Sequence, residues 1–280
     1  MLVEENLATK DILSSYQSPF TYDFKFSTLK ESLRQNGFIQ YKASDIDIES
    51  KITIAREFKA LEQDPFSAAE NHRFIRYGNA LILPWEKQIR PIWLPTTLSE
   101  DDQELSGYDQ GNITSGQDSI RYFNALSQNV KLSHYLNQLI TEDYALTFGL
   151  KEYYLPIYVG IHFVKLTSDV QNLGINMPDS FHQDGKPFTF AHLFYRSSNI
   201  TGGENYIASP SEKNKRLEDV NAENIYTHFT LKNILDSFAM HHSSVCHYIS
   251  PIQKIPNNQL SYLGERWVIL IDFSLTKQKI

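Results

Sequence analysis

The segment Phe181-His182-Gln183-Asp184-Gly185 sets an imidazole and a carboxylate two residues apart, and in an extended chain such residues point to the same side. His182 and Asp184 can therefore share one ligand. That pairing suits a divalent first-row metal, and a second histidine would complete a two-histidine, one-carboxylate face that leaves coordination positions open. A closed structural zinc site has no such openings. An isolated His-x-Asp also occurs in ordinary turns, where the aspartate accepts backbone hydrogen bonds, so the surroundings decide. Here Gly185 permits a tight turn, FTFAHLFYR supplies a strand at once, and Asn199-Ile200-Thr201-Gly202-Gly203-Glu204 reads as a hairpin-like connection to ENYIA.

The second histidine is to be found among His241, His242 and His247. In VCHYISPI, Val245, His247 and Ile249 alternate to one face of a strand, which favours His247, whereas a strand would send the adjacent His241 and His242 to opposite faces. An open metal site also needs a cation for an anionic cosubstrate, and a guanidinium offers a carboxylate two parallel charge-assisted bonds. Arg266 fits, 19 residues beyond His247 at the start of WVILIDF, on a strand expected to return beside the histidine strand.

The elements that must carry these residues are mostly strands. LPIYVGIHFVKL, FTFAHLFYR, ENYIA, IYTHFTL, VCHYISPI and RWVILIDFSL are short, aromatic and separated by turn signals, which predicts a sandwich or double-sheet jelly roll. Upstream, Ser27 is placed to cap a helix over TLKESLRQN with Gly37 as its stop, and FIQYKA follows as a strand. A second helix opens at Ser44 or Asp45, with Ile48, Ile52, Ala55, Phe58 and Leu61 as its apolar stripe, and ends at Asp64-Pro65. FIRYGNALIL reads as a strand, a helix is expected around 127–140, and the polar, acidic stretch 99–118 reads as a mobile loop or lid. The 280 residues are expected to form a single domain, with 1–150 as a helix-and-strand support carrying the lid and 151–275 as the jelly-roll core.

Composition excludes several classes. Lys+Arg 26 against Asp+Glu 33 leaves a net charge of −7 and no basic stripe, which argues against nucleic-acid binding. No eighteen-residue apolar run is present, so no membrane span is expected. The lone Cys246 rules out an internal disulfide and any zinc site needing two cysteines, which points to a cytoplasmic protein.

Taken together, HQDGKPFTFAHLFYRSSNITGGENYI, LDSFAMHHSSVCHYISPI and GERWVILIDF resemble the iron(II)/2-oxoglutarate-dependent dioxygenases typified by bacterial free L-amino-acid hydroxylases. The resemblance is strongest over 178–273. It implies a mainly β, cupin-like double-stranded β-helix with flanking helices. It also implies Fe(II) on His182, Asp184 and His247, with 2-oxoglutarate as cosubstrate held at its far carboxylate by Arg266, dioxygen as oxidant and ascorbate as a reductant in vitro. The implied substrate is a small free amino or imino acid, hydroxylated with release of succinate and CO2; the alternatives are a peptide, protein or carrier-bound substrate, or a cupin-like protein without oxygen chemistry. An amino acid needs a cation for its carboxylate, and Arg121 and Arg196 are the preferred candidates among Arg73, Arg76, Arg121, Lys165 and Arg196; Tyr158 and His162 are candidates to line the cavity.

Overall fold

The computed structural model describes residues 26–109, 120–256 and 263–275. Its N-terminal part comprises α1 (Phe26–Asn36), β1 (Phe38–Lys42), α2 (Ile48–Lys59), β2 (Glu62–Gln63), β3 (Arg73–Ile82), β4 (Ile92–Trp93), β5 (Thr97–Leu98), β6 (Glu104–Asp109) and β7 (Ile120–Asn124). Two helices follow, α3 (Gln128–Lys131) and α4 (His134–Leu146). The second half is strands: β8 (Ile157–Ser168), β9 (Phe188–Arg196), β10 (Ile200–Gly202), β11 (Glu204–Ala208), β12 (Ile225–Thr230), β13 (Asp236–His241), β14 (Cys246–Ile249), β15 (Ile252–Lys254) and β16 (Gly264–Ser274).

The larger sheet runs β1-β13-β9-β16-β8-β3-β2, with β4 paired to β3, and all its described pairings are antiparallel. Facing it are the β12-β11-β14 sheet and the β10-β15 pair, and β5-β6-β7 forms a further small sheet. This is the expected mainly β jelly roll. β1, β2 and β3 from the first 150 residues are integral strands of the larger sheet.

Strict alternation gives the larger sheet two different faces. On its outer face Val159, Ile161, Phe163, Phe188, Phe190, Ile269, Ile271 and Phe273 join Ile54 and Phe58 of α2 and Leu136, Leu139 and Ile140 of α4 in one core. Phe58 stacks on Phe163, Phe194 and Trp267 at centroid distances of 4.8, 5.4 and 5.3 Å. Burying such a ring contributes roughly 1.5–3 kcal/mol, which clamps α2 to the strands that carry the site. On the inner face Ala191, Leu193 and Val268 meet Ile207 and Val245 from the facing sheet.

Several local expectations change. α2 is capped by Asp47, which accepts from the Ser50 N–H at 2.8 Å, and its buried face is Ser50, Lys51, Ile54, Glu57 and Phe58. Ile48 is 64% exposed, so the predicted stripe is out of phase. The cause is polar: Glu57 is buried because it accepts from the Ser127 N–H and hydroxyl and from Arg76, and a buried carboxylate with partners costs far less than a hydropathy pattern assumes. Ser27 lies within α1 rather than capping it. Residues 104–109 of the expected lid are strand β6, paired to β5 and β7; the remainder from 110 lies outside the described residues. The 199–204 connection is no hairpin, since β10 pairs with β15 while β11 pairs with β12 and β14. It moves the chain from one sheet to the other. Likewise β16 does not pair with the histidine strand β14 but lies in the opposite sheet, between β8 and β9.

Candidate active site

His182 and His247 face each other through an isolated antiparallel bridge, with each N–H donating to the other's carbonyl at 2.9 Å. β14 itself is pinned by β11, where Ile207 pairs with His247. Asp184 follows His182, and its Oδ1 lies 3.3 Å from His182 Nε2. One ligand atom each from His182, Asp184 and His247 lies within 4.8 Å of the other two. The spacing argument for His182 and Asp184 and the alternation argument for His247 thus lead to one cluster.

Hydrogen bonding supports a cation among these groups. His182 Nδ1 donates to the Ser180 carbonyl at 2.9 Å, which leaves the lone pair of Nε2 aimed at the Asp184 carboxylate. Two acceptors brought face to face repel unless a proton or metal ion stands between them. Burial opposes charge on His182, but the Asp184 carboxylate and the Ser180 carbonyl outweigh it and raise its pKa. Burial would raise Asp184 too, yet His242, His247 and His182 hold its carboxyl well below the usual range. Burial, and then His182 beside it, push His247 well below the usual histidine range, so this imidazole keeps a free lone pair at neutral pH. One ionised carboxylate and an imidazole lone pair are what a ferrous ion requires.

Thr189, which the sequence does not single out, and His242, passed over there in favour of His247, brace the carboxylate. Thr189 Oγ1 donates to Asp184 Oδ2 at 3.1 Å, and His242 Nε2 lies 2.9 Å from that hydroxyl and 3.2 Å from Oδ2. Opposite-face reasoning was correct for the 241–242 pair: His241 stacks on Phe188 at 4.8 Å, and His242, beyond the end of β13, turns inward. The composition of Thr189 carries no signal for this role, since it depends on which strand lies alongside.

Cross-strand register on the inner face of β9, β16, β8 and β3 produces rows. Arg196, Arg266, Leu166 and Arg73 form one, and Thr189, Asp272, Gly160 and Asn79 form another, with Leu193, Val268, Val164 and Ile75, then Ala191, Leu270, His162 and Tyr77, between them. Arg196 belongs to the first row only because of a β-bulge: Trp267 pairs with Tyr195 and Val268 with Leu193, so Phe194 is the extra residue and the alternation resets.

Arg266 is 4% exposed, and neither its Nε nor its Nη2 has a hydrogen-bond partner among the described residues. Burial, and then the Arg196 charge beside it, pull this guanidinium down to about 9. Arg196 is tied by Nη2 to the Gly202 carbonyl at 2.9 Å, so it closes the 196–202 turn next to Arg266. A Cβ on Gly203 would lie 3.0 Å from Arg196 Nη1 and 3.1 Å from Arg266 Cδ, so a side chain there would press on both arginines, and the Gly203 φ of +65° favours glycine as well. The Gly203 N–H donates to the Ser250 carbonyl at 3.1 Å, and Ser250 is three residues past His247, about 10 Å of extended chain.

The other sequence candidates are spread out. His162 sits between Tyr77 and Tyr108, at centroid distances of 4.5 and 5.0 Å, and donates from Nε2 to Asp272 Oδ2 at 3.0 Å. Tyr158 lies half-buried near the start of β8, paired to Leu81 and Ser274. Arg121, on β7 opposite Tyr108, places its guanidinium 5.0 Å over the Phe66 ring. Lys186 is buried, donates to the Asp109 carbonyl at 2.9 Å and lies 5.4 Å over the Tyr108 ring. Among the described residues no helix is long and apolar enough to cross a membrane.

Comparison with known proteins follows the same lines. Residues 55–263 match the family model described as 2OG-Fe dioxygenase. An L-isoleucine-4-hydroxylase of Bacillus thuringiensis is 20% identical over 264 residues, covering 88% of this chain and 100% of that protein. A 3(1)-hydroxy-L-isoleucine 4-dioxygenase of Pantoea ananatis is 23% identical over 164 residues, covering 58% of this chain and 60% of that protein. Among solved structures, IDO from Bacillus thuringiensis gives a TM-score of 0.65 at 15% identity, over 91% of this chain and 100% of that one. A bsmA homolog from Methylobium petroleophilum gives 0.69 at 14% identity, over 94% and 98%. These structural likenesses bear on the fold.

Proposed function

The chain belongs to the 2OG-Fe dioxygenase family, an oxidoreductase family that uses Fe(II), 2-oxoglutarate and O2, and we propose that it hydroxylates an unactivated carbon of a small free amino or imino acid. The observation that carries the metal assignment is the convergence of His182, Asp184 and His247 to within 4.8 Å, with the lone pair of His182 directed at the carboxylate. When bound, ferrous iron with 2-oxoglutarate and dioxygen supplies the chemistry that puts one oxygen atom into a C–H bond and the other into succinate, with CO2 released.

The chain's own residues bind and orient. Arg266 offers Nε and Nη2, both lacking a partner, to the far carboxylate of 2-oxoglutarate, and a bidentate guanidinium–carboxylate pair sets angle as well as distance. Val268 and Leu270 separate that end from Asp272 and form an apolar floor that excludes water. Thr189 and His242 hold the Asp184 carboxylate in one orientation, which matters because an error near 1 Å can cost about a hundredfold in rate. Arg121, on β7 opposite Tyr108, is the cation placed for a substrate carboxylate at the end away from Arg266, while Lys186, against the same ring, is held by the Asp109 carbonyl. Arg196, with Nη2 on the Gly202 carbonyl and its charge beside Arg266, belongs to the Arg266 end of the sheet rather than to the Tyr108 end. Two relatives named for isoleucine chemistry support the amino-acid substrate class.

The test is mass spectrometry of pooled L-amino acids incubated with anaerobically reconstituted Fe(II) protein, 2-oxoglutarate and ascorbate, then exposed to air. A gain of one oxygen on an amino acid with equimolar succinate is expected. Succinate formation that no amino acid stimulates, with hydroxylation of an added peptide, would move the substrate to the peptide class.

A further inference from the structure

Asp272 lies in the row of Thr189, the threonine that donates to Asp184, and is 4% exposed. His162 takes its Oδ2, but among the described residues Oδ1 has no hydrogen-bond partner. The Tyr77 hydroxyl, on a side chain with no exposed surface, has none either. Both groups crowd the bare backbone of Gly160: a Cβ there would lie 2.8 Å from each Asp272 carboxylate oxygen and 2.8 Å from Tyr77 Oη. Two oxygens that near to one point are within reach of a single donor, and leaving a carboxylate oxygen buried and unpaired is costly. A side chain at 160 would push these oxygens from their places.

The surroundings say which donor. Tyr108 packs on both Tyr77, at 5.2 Å, and His162, at 5.0 Å. Its phenol is pushed well up, first by burial and then by the Asp272 and Asp184 charges, and on the sheet Asp272 pairs with Thr189, whose hydroxyl reaches the metal carboxylate. On the sheet Asp272 is separated from Arg266, the anchor for the far carboxylate of the cosubstrate, by Val268 and Leu270.

We infer that Asp272 Oδ1 and Tyr77 Oη form the seat of the substrate's ammonium group, and so select an amine-bearing small molecule over its deaminated analogues. This inference rests on the amino-acid reading above and names the residues that would recognise it. A charged ammonium can donate to both oxygens and pairs its charge with the carboxylate, whereas a hydroxyl, donating to Asp272 Oδ1 and accepting from Tyr77, brings no charge, and a keto oxygen can only accept from Tyr77 and leaves Asp272 Oδ1 unpaired. Rejection of an analogue that leaves a buried acceptor unpaired is strong, because the penalty falls on the protein as well as on the ligand.

The experiment uses Mn(II)-loaded protein with 2-oxoglutarate, in which binding is measured by calorimetry without turnover. The L-amino acid that binds best from a pool is compared with its 2-hydroxy acid on the wild-type protein, and again on Asp272→Asn and Tyr77→Phe. The 2-hydroxy acid is expected to bind wild type at least about tenfold more weakly, and Asp272→Asn to remove most of that difference while binding 2-oxoglutarate as wild type does. The wild-type comparison stands even if a variant fails to fold. Equal affinity of the two ligands for wild type, or an unchanged preference in Asp272→Asn, overturns the seat and leaves the hydroxylase reading intact. Absence of any amino-acid binder overturns the amino-acid reading and the seat with it.

Discussion

Replacing Arg266 with glutamine should have two opposite effects, because the same buried charge is a liability without cosubstrate and an anchor with it. Without 2-oxoglutarate, Nε and Nη2 have no partner, the side chain is 4% exposed, and Arg196 lies in the same cross-strand row. Leaving such a group unsatisfied costs roughly 1–3 kcal/mol, so Arg266→Gln should stabilise the ligand-free fold by about that much. For a chain of this size that is a rise in Tm of roughly 2–10 °C. With 2-oxoglutarate the sign reverses. Removing one partner of a buried charge pair costs roughly 3–5 kcal/mol, or about 10²- to 10³-fold and upward in affinity. The assay is thermal unfolding of Mn(II)-loaded wild type and variant across a 2-oxoglutarate titration, with calorimetric Kd values alongside. Wild type should start lower and climb as cosubstrate is added; the variant should start higher and stay flat. An Arg266→Gln protein that binds 2-oxoglutarate within a factor of three of wild type refutes the anchor. One that is less stable than wild type when ligand-free refutes the electrostatic reasoning.

Thr189→Val removes the hydroxyl between Asp184 and His242 with little change of volume, and Mn(II) affinity should fall about 10–100-fold at an unchanged circular dichroism spectrum. Asp143→Ala leaves Tyr41 Oη and His192 Nε2, each now 2.9 Å from the carboxylate, without their buried acceptor; a loss of roughly 2–5 kcal/mol should lower Tm by about 5–15 °C. Burial, with Glu212 nearby, pushes the Cys246 thiol up to about 11, so at pH 8 only about a thousandth is thiolate. Iodoacetamide should therefore leave Cys246 unmodified in the native protein, gain roughly tenfold in rate per pH unit up to that value, and react at once in urea.

What could be read from the sequence followed its short-range patterns. FTFAHLFYR and ENYIA are β9 and β11 to the residue, and His182, Asp184 and His247 converge because period-two alternation is a local property. Arg266 lies on the inner face for the same reason, although the strand carrying it is in the other sheet than expected. Thr189, Asp272, Gly160 and Tyr77 were not legible as a group. They meet only through the register of four strands far apart in the chain, and register is a tertiary quantity. The position of Arg196 depends on the bulge at Phe194, which no alternation rule predicts. β6 reads as loop from its acidic flanks, although Ser106 and Asp109 are buried within it. In α2 the buried Glu57 moved the helix face away from the apolar stripe.

The central claim is that two imidazoles and one carboxylate hold a single ferrous ion. Anaerobic Fe(II) titration of wild type and Asp184→Ala, with bound metal counted after desalting, tests it most directly. The account predicts one tightly held Fe(II) per wild-type chain and none in Asp184→Ala, whose thermal unfolding remains cooperative. One equivalent of Fe(II) retained at wild-type affinity by Asp184→Ala would contradict it.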